Sequence, residues 1–211
     1  MDYKAIFFDR KSKICLLMVT VVGGFGGTGY IPHFRSYQLE VFMRWAFNPA
    51  VMRHLLNFWP PFLFNGIKIV ELASDYRYAR VTLNDRPWRR NINSSQFGGA
   101  MFAMTDPMYP LMLMGALGKE YLVWDKKADI DYIKPGQGKL TAEFWLGDAV
   151  LAEIKAATEQ GDKYFPQFLV HLKNQQGDIV CEVNRTVYIR KKRKHRPGEH
   201  RKVAEQTDAD D

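Results

Sequence analysis

The 211-residue sequence lacks the signatures of several common catalytic and binding sites. Its two cysteines, Cys15 and Cys181, are far apart and form neither a disulfide framework nor a zinc-binding pair, so a reducing compartment, the cytoplasm, is the expected setting. The five histidines fall at no metal-ligand spacing, and we predict no metal site. Neither a serine-nucleophile elbow nor a phosphate-binding loop nor a dinucleotide fingerprint occurs, since Gly23–Gly27 has glycines without the required spacing.

The composition is that of a globular protein, and its charge is partly local. Hydrophobic residues make up 46% of the chain and charged residues 25%. The net charge is +7, but residues 190–211 hold eight Lys or Arg against five acids and so account for +3 of it. The basic run RKKRKHR suits either an anionic partner or a solvated tail. We favour the tail, predict that residues 191–211 are disordered, and expect no nucleic-acid partner.

The amino-terminal segment contains one apolar run, Ile14–Val22. Nine residues rise only about 14 Å as a helix, which is too short for a bilayer core of roughly 30 Å, so no membrane span is expected. A secretory signal is an open alternative, although Asp2 and Asp9 interrupt its basic leader. A biological start at Met43 also stays open. We treat residues 1–42 as an amino-terminal extension of uncertain order.

Regular patterns begin at Met43. Turn residues and the spacing of apolar side chains predict the elements of one folded domain over residues 43–190. In chain order these are a helix over Met43–Phe58, a hairpin of Gly66–Ala73 with Tyr76–Leu83, strands Tyr121–Ile133 and Lys139–Leu146, a helix over Asp148–Gln160, and a hairpin of Gln167–Lys173 with Ile179–Arg190. In the second helix Asp148 is the predicted N-cap and Gly161 the stop signal.

Between the strand pairs lies Gly98–Gly118, in which Asp106 is the only charged residue. Apolar residues surround this segment on every face, which predicts a helix buried on all sides. Strands on both sides of one buried helix must wrap around it. The expected fold is therefore α+β, with a curved antiparallel sheet around a long central helix.

Gly98-Gly99 and Asp106 are the candidate chemical groups of this helix. The free N–H groups of a first turn, at the positive end of the helix dipole, suit an oxyanion or a polarised carbonyl. Taken alone, however, the glycine pair is better explained by close packing of the helix on strands. Asp106 is either a catalytic carboxylate or, in Thr105-Asp106-Pro107, the N-cap of a second helix.

The stretch FGGAMFAMTDP resembles the central-helix motif of the hot-dog thioesterase superfamily, in the branch typified by phenylacetate-pathway thioesterases. In that motif His-Gly-Gly opens the helix, and an acid nine residues after the His is the catalytic carboxylate; Phe97, Gly98-Gly99 and Asp106 occupy those places. The chain is more similar still to a group of small hot-dog proteins classed as a domain of unknown function. That likeness covers Met43–Lys192 and includes WPPFLFNGI and YLVWDKKADIDYIKPGQGKL.

The resemblance implies a hot-dog domain that hydrolyses acyl-thioesters, in particular acyl-CoA. Asp106 would be the general base or the nucleophile, and the N–H groups of Gly98 and Gly99 would stabilise the oxyanion. Coenzyme A would enter only as part of the substrate, with no separate cofactor. Phe97 replaces the superfamily His, so a non-catalytic acyl- or lipid-binding module is the alternative. Further candidates are Asn93 and Gln96 for orienting water or substrate, Phe97, Met101, Met104 and Met108 for the acyl chain, and Arg89 and Arg90 for CoA phosphates.

The spacing of the two groups also predicts the assembly. Gly98 and Asp106 are eight residues apart, so on one straight helix about 12 Å separates them along the axis. An oxyanion donor and a carboxylate must both lie within about 3 Å of the reacting atoms. Antiparallel helices of two subunits would bring Gly98-Gly99 of one near Asp106 of the other. We therefore expect a homodimer or a dimer of dimers, as the resemblance also implies.

Overall fold

The computed structural model describes residues 47–197. The predicted extension 1–42 and residues 198–211 of the predicted tail lie outside the described residues. The helices are α1 (Pro49–Phe58), α2 (Pro60–Asn65), α3 (Gly98–Ala103), α4 (Met108–Leu117) and α5 (Asp148–Ala157), with short 3-10 turns at Pro87–Arg89 and Arg193–His195. The strands are β1 (Ile67–Leu72), β2 (Tyr78–Leu83), β3 (Tyr121–Tyr132), β4 (Leu140–Trp145), β5 (Gln167–Lys173) and β6 (Ile179–Lys191).

All six strands form one antiparallel sheet in the order β1-β2-β4-β5-β6-β3. Both predicted hairpins are confirmed, because β1 pairs with β2 and β5 pairs with β6. The strands on either side of the Pro135–Gly138 turn do not pair with each other. Instead β3 lies at the sheet edge against β6, and β4 lies between β2 and β5. The turn therefore carries the chain from an edge of the sheet to its middle.

The sheet curves around α3 and α4, which together occupy the place of the predicted central helix. Seven of the ten residues of α4 are buried. The Tyr109 ring stacks on Phe168 of β5 at 4.1 Å and meets Phe144 of β4 edge-on at 5.5 Å. Ahead of β2, the Tyr76 ring packs so closely on Gly115 that a Cβ there would lie 2.2 Å from it. These contacts with β4, with β5 and with the turn ahead of β2 confirm the α+β hot-dog arrangement.

The capping and stop residues of α5 differ from those predicted from sequence. The N-cap of α5 is Gly147, not Asp148; Asp148 is the first helical residue and pairs with Arg77. The helix ends at Ala157 with Thr158 as its C-cap, so Gly161 lies beyond the stop and adopts φ +88° in the following turn. A carboxylate in the first turn is stabilised by the helix dipole even without a capping bond, which explains why the sequence signal was off by one position.

The last strand extends one residue into the predicted tail, which starts at Lys191. Strand β6 continues to Lys191, and the Lys192 N–H donates to the Glu120 carbonyl at 2.7 Å.

Within residues 47–197 we find no helix with the length and apolarity that a bilayer span requires. Cys181 is fully buried in β6, and burial raises the pKa of its thiol to about 11.

Candidate functional site

The central helix is interrupted over residues 104–107, and two prolines explain the interruption. Pro107 has no N–H to donate to the Ala103 carbonyl; the Asp106 N–H reaches that carbonyl instead, at 3.1 Å, in a tighter turn. Pro110 has no N–H for the Asp106 carbonyl, so that carbonyl is left free. Because Pro110 is the third residue of α4, its missing N–H costs the new helix nothing.

A buried arginine from the other end of the chain fills the break. Arg185 of β6 is 1% exposed and its guanidinium points at the interruption. It donates to Thr105 Oγ1 at 3.1 Å and to the freed Asp106 carbonyl at 3.2 Å. It also lies over the Phe102 ring, 5.1 Å from the centroid. Arg185 therefore satisfies the Asp106 carbonyl, which Pro110 leaves without a helical donor.

The Asp106 carboxylate lies at the rim of this break. Its Oδ1 accepts from two nitrogens of Arg185 at 3.4 Å each, and its side chain is 57% exposed. The capping alternative is wrong, because the N-cap of α4 is Pro107 and no side chain caps that helix. Asp106 is instead an accessible carboxylate oriented by a buried cation.

A second carboxylate shares the same arginine. Asp125 Oδ2 of β3 accepts from Arg185 at 2.7 Å, whereas Asp125 Oδ1 is buried without a hydrogen-bond partner in the described part of the chain. Burial raises the pKa of Asp125 to about 6; Arg185 opposes this shift, and the nearby Asp106 charge adds to it. Arg185 thus holds two carboxylates of different environment, one exposed and one partly buried.

Sequence reasoning missed both Arg185 and Asp125, although a signal was present. In β6 the inward side chains alternate as Cys181, Val183, Arg185, Val187 and Ile189, so one charge interrupts an apolar face. A charge at such a position needs a buried partner. The partner cannot be identified from spacing, because Arg185 lies 60 residues from Asp125 and 79 from Asp106.

The Gly98-Gly99 pair opens α3, with Phe97 as N-cap. The N–H groups of Ala100 and Met101 turn back to the Phe97 carbonyl, while those of Gly98 and Gly99 have no acceptor among residues 47–197. Both positions are also sterically tight. A Cβ on Gly98 would lie 2.9 Å from the Tyr132 hydroxyl, and one on Gly99 would lie 2.5 Å from the Phe97 ring. Close packing and free donors therefore occur together at this helix start.

The remaining predicted site residues divide into buried and exposed groups. Gln96 is 1% exposed and anchors the turn before β4, donating to the Gly138 carbonyl at 2.9 Å, while its own Oε1 is buried without a partner in the described residues. Met101 packs on Gly136 of the same turn. Phe97 is 55% exposed beside Gly99, and Asn93 is exposed.

The other predicted contacts belong to the core or to local structure. Met104 and Met108 are fully buried. Arg90 pairs with Asp85 at 2.7 Å, and Arg89 reaches the Leu63 carbonyl. The structure thus brings Gln96, Phe97 and Met101 to the start of α3 and Asp106 to its end.

Solved structures share this fold at low identity. A Pseudomonas aeruginosa protein of unknown function, described as a probable thioesterase, has a TM-score of 0.61 at 19% identity over 68% of this chain and 95% of that one. A Chlorobaculum tepidum protein of unknown function gives 0.57 at 15% identity over 70% and 99%. A Haemophilus influenzae thioesterase gives 0.50 at 14% identity over 67% and 89%. No curated protein matches the chain.

A family model matches most of the described residues. It is the Domain of unknown function (DUF4442), and the match runs over residues 47–189, from the start of α1 to the last residues of β6. The match includes the broken central helix, Arg185 and both carboxylates. The chain therefore belongs to the DUF4442 family and has the hot-dog fold.

Proposed function

We propose that the protein hydrolyses acyl-thioesters of coenzyme A, in a cytoplasmic setting, with Asp106 as the reacting carboxylate. The observation that carries the proposal is the helix break at residues 104–107. There Asp106 presents an exposed carboxylate whose Oδ1 is held by buried Arg185, while no described residue donates a hydrogen bond to its Oδ2. Two of the structurally similar proteins are described as thioesterases, one of them as probable.

The chemistry needs one proton acceptor and one oxyanion site. As general base, Asp106 Oδ2 takes a proton from water, and the oxygen of that water attacks the thioester carbonyl carbon. The carbonyl oxygen becomes an oxyanion that accepts from the N–H groups of Gly98 and Gly99. The C–S bond then breaks and the thiolate takes the proton from Asp106. As nucleophile, Asp106 would instead attack the carbonyl carbon, and the C–S bond would break with release of the CoA thiolate. Water would then hydrolyse the resulting anhydride to the free acid and the Asp106 carboxylate, and the proton released would go to the thiolate.

Two subunits are required to complete such a site. The distance between Gly98 and Asp106 in one subunit can be estimated along strand β3. Tyr132 lies at the Gly98 position, and Asp125 shares Arg185 with Asp106. Arg185 is paired with Ala128, so four residues, about 13 Å of strand, separate its level from Tyr132. A thioester that contacts both Gly98 and Asp106 must therefore take these two residues from different chains.

The sheet offers the surface for this pairing. Strand β3 is its terminal strand, with one hydrogen-bonding edge unpaired in the described residues. Two β3 edges joined antiparallel and centred at Asp129 would place Tyr132 of one chain opposite Lys126 of the other, next to Asp125. Gly98 of each subunit would then lie near Asp106 of its partner, which makes a homodimer the active unit.

Mixing two inactive variants tests the shared site. Gly98→Pro removes one oxyanion donor, and proline is favoured at this first helical position after Phe97, whose ψ is 123°. It is made together with Tyr132→Phe, which relieves the contact with the hydroxyl. Random pairing of this variant with Asp106→Asn makes half of the dimers mixed, each with one intact site, so about a quarter of wild-type turnover should return. Two folded, dimeric variants that stay inactive when co-expressed would contradict the shared site.

One observation favours a different function. Phe97 stands where the superfamily motif has His, and its exposed ring lies against Gly99, beside the free N–H groups. An aromatic ring there suits an acyl chain better than a polar transition state. The second candidate is therefore a non-catalytic module that binds acyl groups or lipids.

Turnover measurements separate the two functions. A panel of acyl-CoA substrates is assayed with a free-thiol reagent for wild type and for Asp106→Asn, which keeps the side-chain size but removes the base. Turnover should fall at least about a hundredfold, the low end for a lost general base. Asp162→Asn, at an exposed aspartate outside the site, is the matched control and should keep full activity. Full turnover in Asp106→Asn would end the catalytic role, and wild type without turnover on any substrate would favour the binding module.

A further inference from the structure

A cleft lies at the opposite edge of the sheet from Arg185. It opens between α1 and the outer strands β1 and β2 and has a volume of about 540 Å³, within the range of small-molecule sites. Its lining comprises Arg53, His54, Asn57, Phe58, Lys68, Ile69, Val70, Thr82, Asn84 and Lys139. Strands β1 and β2 begin the sheet order and β6 and β3 end it, so this cleft is separate from the Asp106 site.

The lining contains four basic side chains and no acidic one. In the structure of residues 47–197, none of the four forms an ion pair with a carboxylate, whereas five other Arg and Lys side chains outside the Arg185 cluster do. The four are Arg53, His54, Lys68 and Lys139. Neighbouring like charges repel one another, so a bound anion would be attracted by the cationic Arg53, Lys68 and Lys139 together.

Two of the side chains that line the cleft are held in position by hydrogen bonds. Arg53 donates to the Val70 carbonyl at 2.8 Å and contacts His54 Nε2 at 3.5 Å, which leaves further guanidinium N–H groups for a ligand. Asn57 is held by two hydrogen bonds to the main chain of Ile69, at 2.7 and 3.0 Å. Side chains that are held in position before a ligand binds lose little conformational entropy on binding.

We propose that this cleft binds a phosphate-bearing organic anion. Phosphate offers several strong acceptor oxygens and more than one negative charge, which matches a guanidinium beside two ammonium groups better than a single carboxylate does. Phe58 lines the same cleft and is 74% exposed, so it provides apolar surface for the organic part of the ligand. The phosphate belongs either to a soluble metabolite or to the headgroup of an anionic lipid.

Two probes distinguish these sources. Inorganic pyrophosphate, titrated by calorimetry, represents the soluble phosphates. Sedimentation with phosphatidylcholine vesicles containing about one fifth phosphatidic acid, against vesicles of phosphatidylcholine alone, represents the lipid. The test variant is Lys68→Gln with Lys139→Gln, both at exposed positions, and its matched control is Lys155→Gln with Lys163→Gln at exposed positions elsewhere.

Whichever probe binds wild type should bind the Lys68/Lys139 variant at least about tenfold more weakly, because two charge-assisted contacts are lost. The control variant should bind as wild type does, and added salt should weaken binding. Asp106→Asn should also bind as wild type, so this result is independent of the proposed hydrolysis. Neither probe binding, or equal binding by the Lys68/Lys139 and control variants, would overturn the proposal.

Discussion

Positively charged side chains have opposite environments at the two edges of the sheet. At the β6–β3 edge, Arg185 is almost completely buried, and two carboxylates, a hydroxyl and a carbonyl accept from it. At the β1–β2 edge, the basic side chains of the cleft have no acidic neighbour in the lining. A buried charge must be satisfied by the fold, whereas exposed charges are stabilised by water and stay available to a ligand.

This difference suggests different roles for the two edges. Arg185 organises the chain itself, because it ties strand β6 to the break between α3 and α4 and orients Asp106 there. The basic side chains of the cleft make no comparable set of contacts; the hydrogen bond from Arg53 to the Val70 carbonyl is the main one. The first edge should therefore be sensitive to loss of charge and the second insensitive.

Removing Arg185 should have the largest effect on stability. Arg185→Met leaves Asp125 partly buried without its cation and the Asp106 carbonyl without its donor, so unfolding free energy should fall by about 3 kcal/mol or more. Arg190→Met, on the same strand, loses one hydrogen bond to the Gly161 carbonyl and should cost about 1 kcal/mol. Denaturant titration of both variants measures the difference. Equal losses would show that Arg185 is not the organising charge.

The pH dependence of stability should report on Asp125. Its pKa is raised from 3.8 to about 6, so the folded protein binds its proton more tightly than the unfolded chain does. Its contribution to stability is then complete below about pH 4 and is lost as the pH rises through 6. Relative to Asp125→Asn, the unfolding free energy of wild type should fall between about pH 4 and pH 6. Parallel curves for wild type and variant, from denaturant titrations across that range, would contradict a raised pKa.

The smallest effect is expected at the basic cleft. Lys68→Gln with Lys139→Gln removes two exposed charges from a group of like sign, so the thermal midpoint should stay the same or rise slightly at low ionic strength. The rise should vanish at high salt, where exposed charges are screened. Thermal unfolding at two salt concentrations tests this. A clear loss of stability would mean that the lysines support the fold, and the contrast between the two edges would disappear.

Local pattern was sufficient for most elements of the fold. The alternation in GIKIVELA and YRYARVTL predicted the first hairpin, and the resemblance carried by FGGAMFAMTDP implied the hot-dog arrangement of the central helix. Thr105-Asp106-Pro107 also indicated a break between two helices, as one of the two alternatives for Asp106. Strand pairing across long loops was not predictable, so the positions of β3 at the edge and β4 in the middle emerged only from the structure.

The candidate site also has features that follow from local sequence and features that depend on long-range strand pairing. Sequence by itself determined the periodic elements, the start of α3 at Gly98 and the place of Asp106 beside a break, because backbone chemistry and short-range spacing govern these features. Only the tertiary structure decided that Asp106 is exposed and caps nothing, and that Arg185 and Asp125 meet it from two different strands. Such a cluster forms when β6 pairs with β3 over a separation of 60 residues, and the sequence pattern along either strand carries no record of which partner it will face.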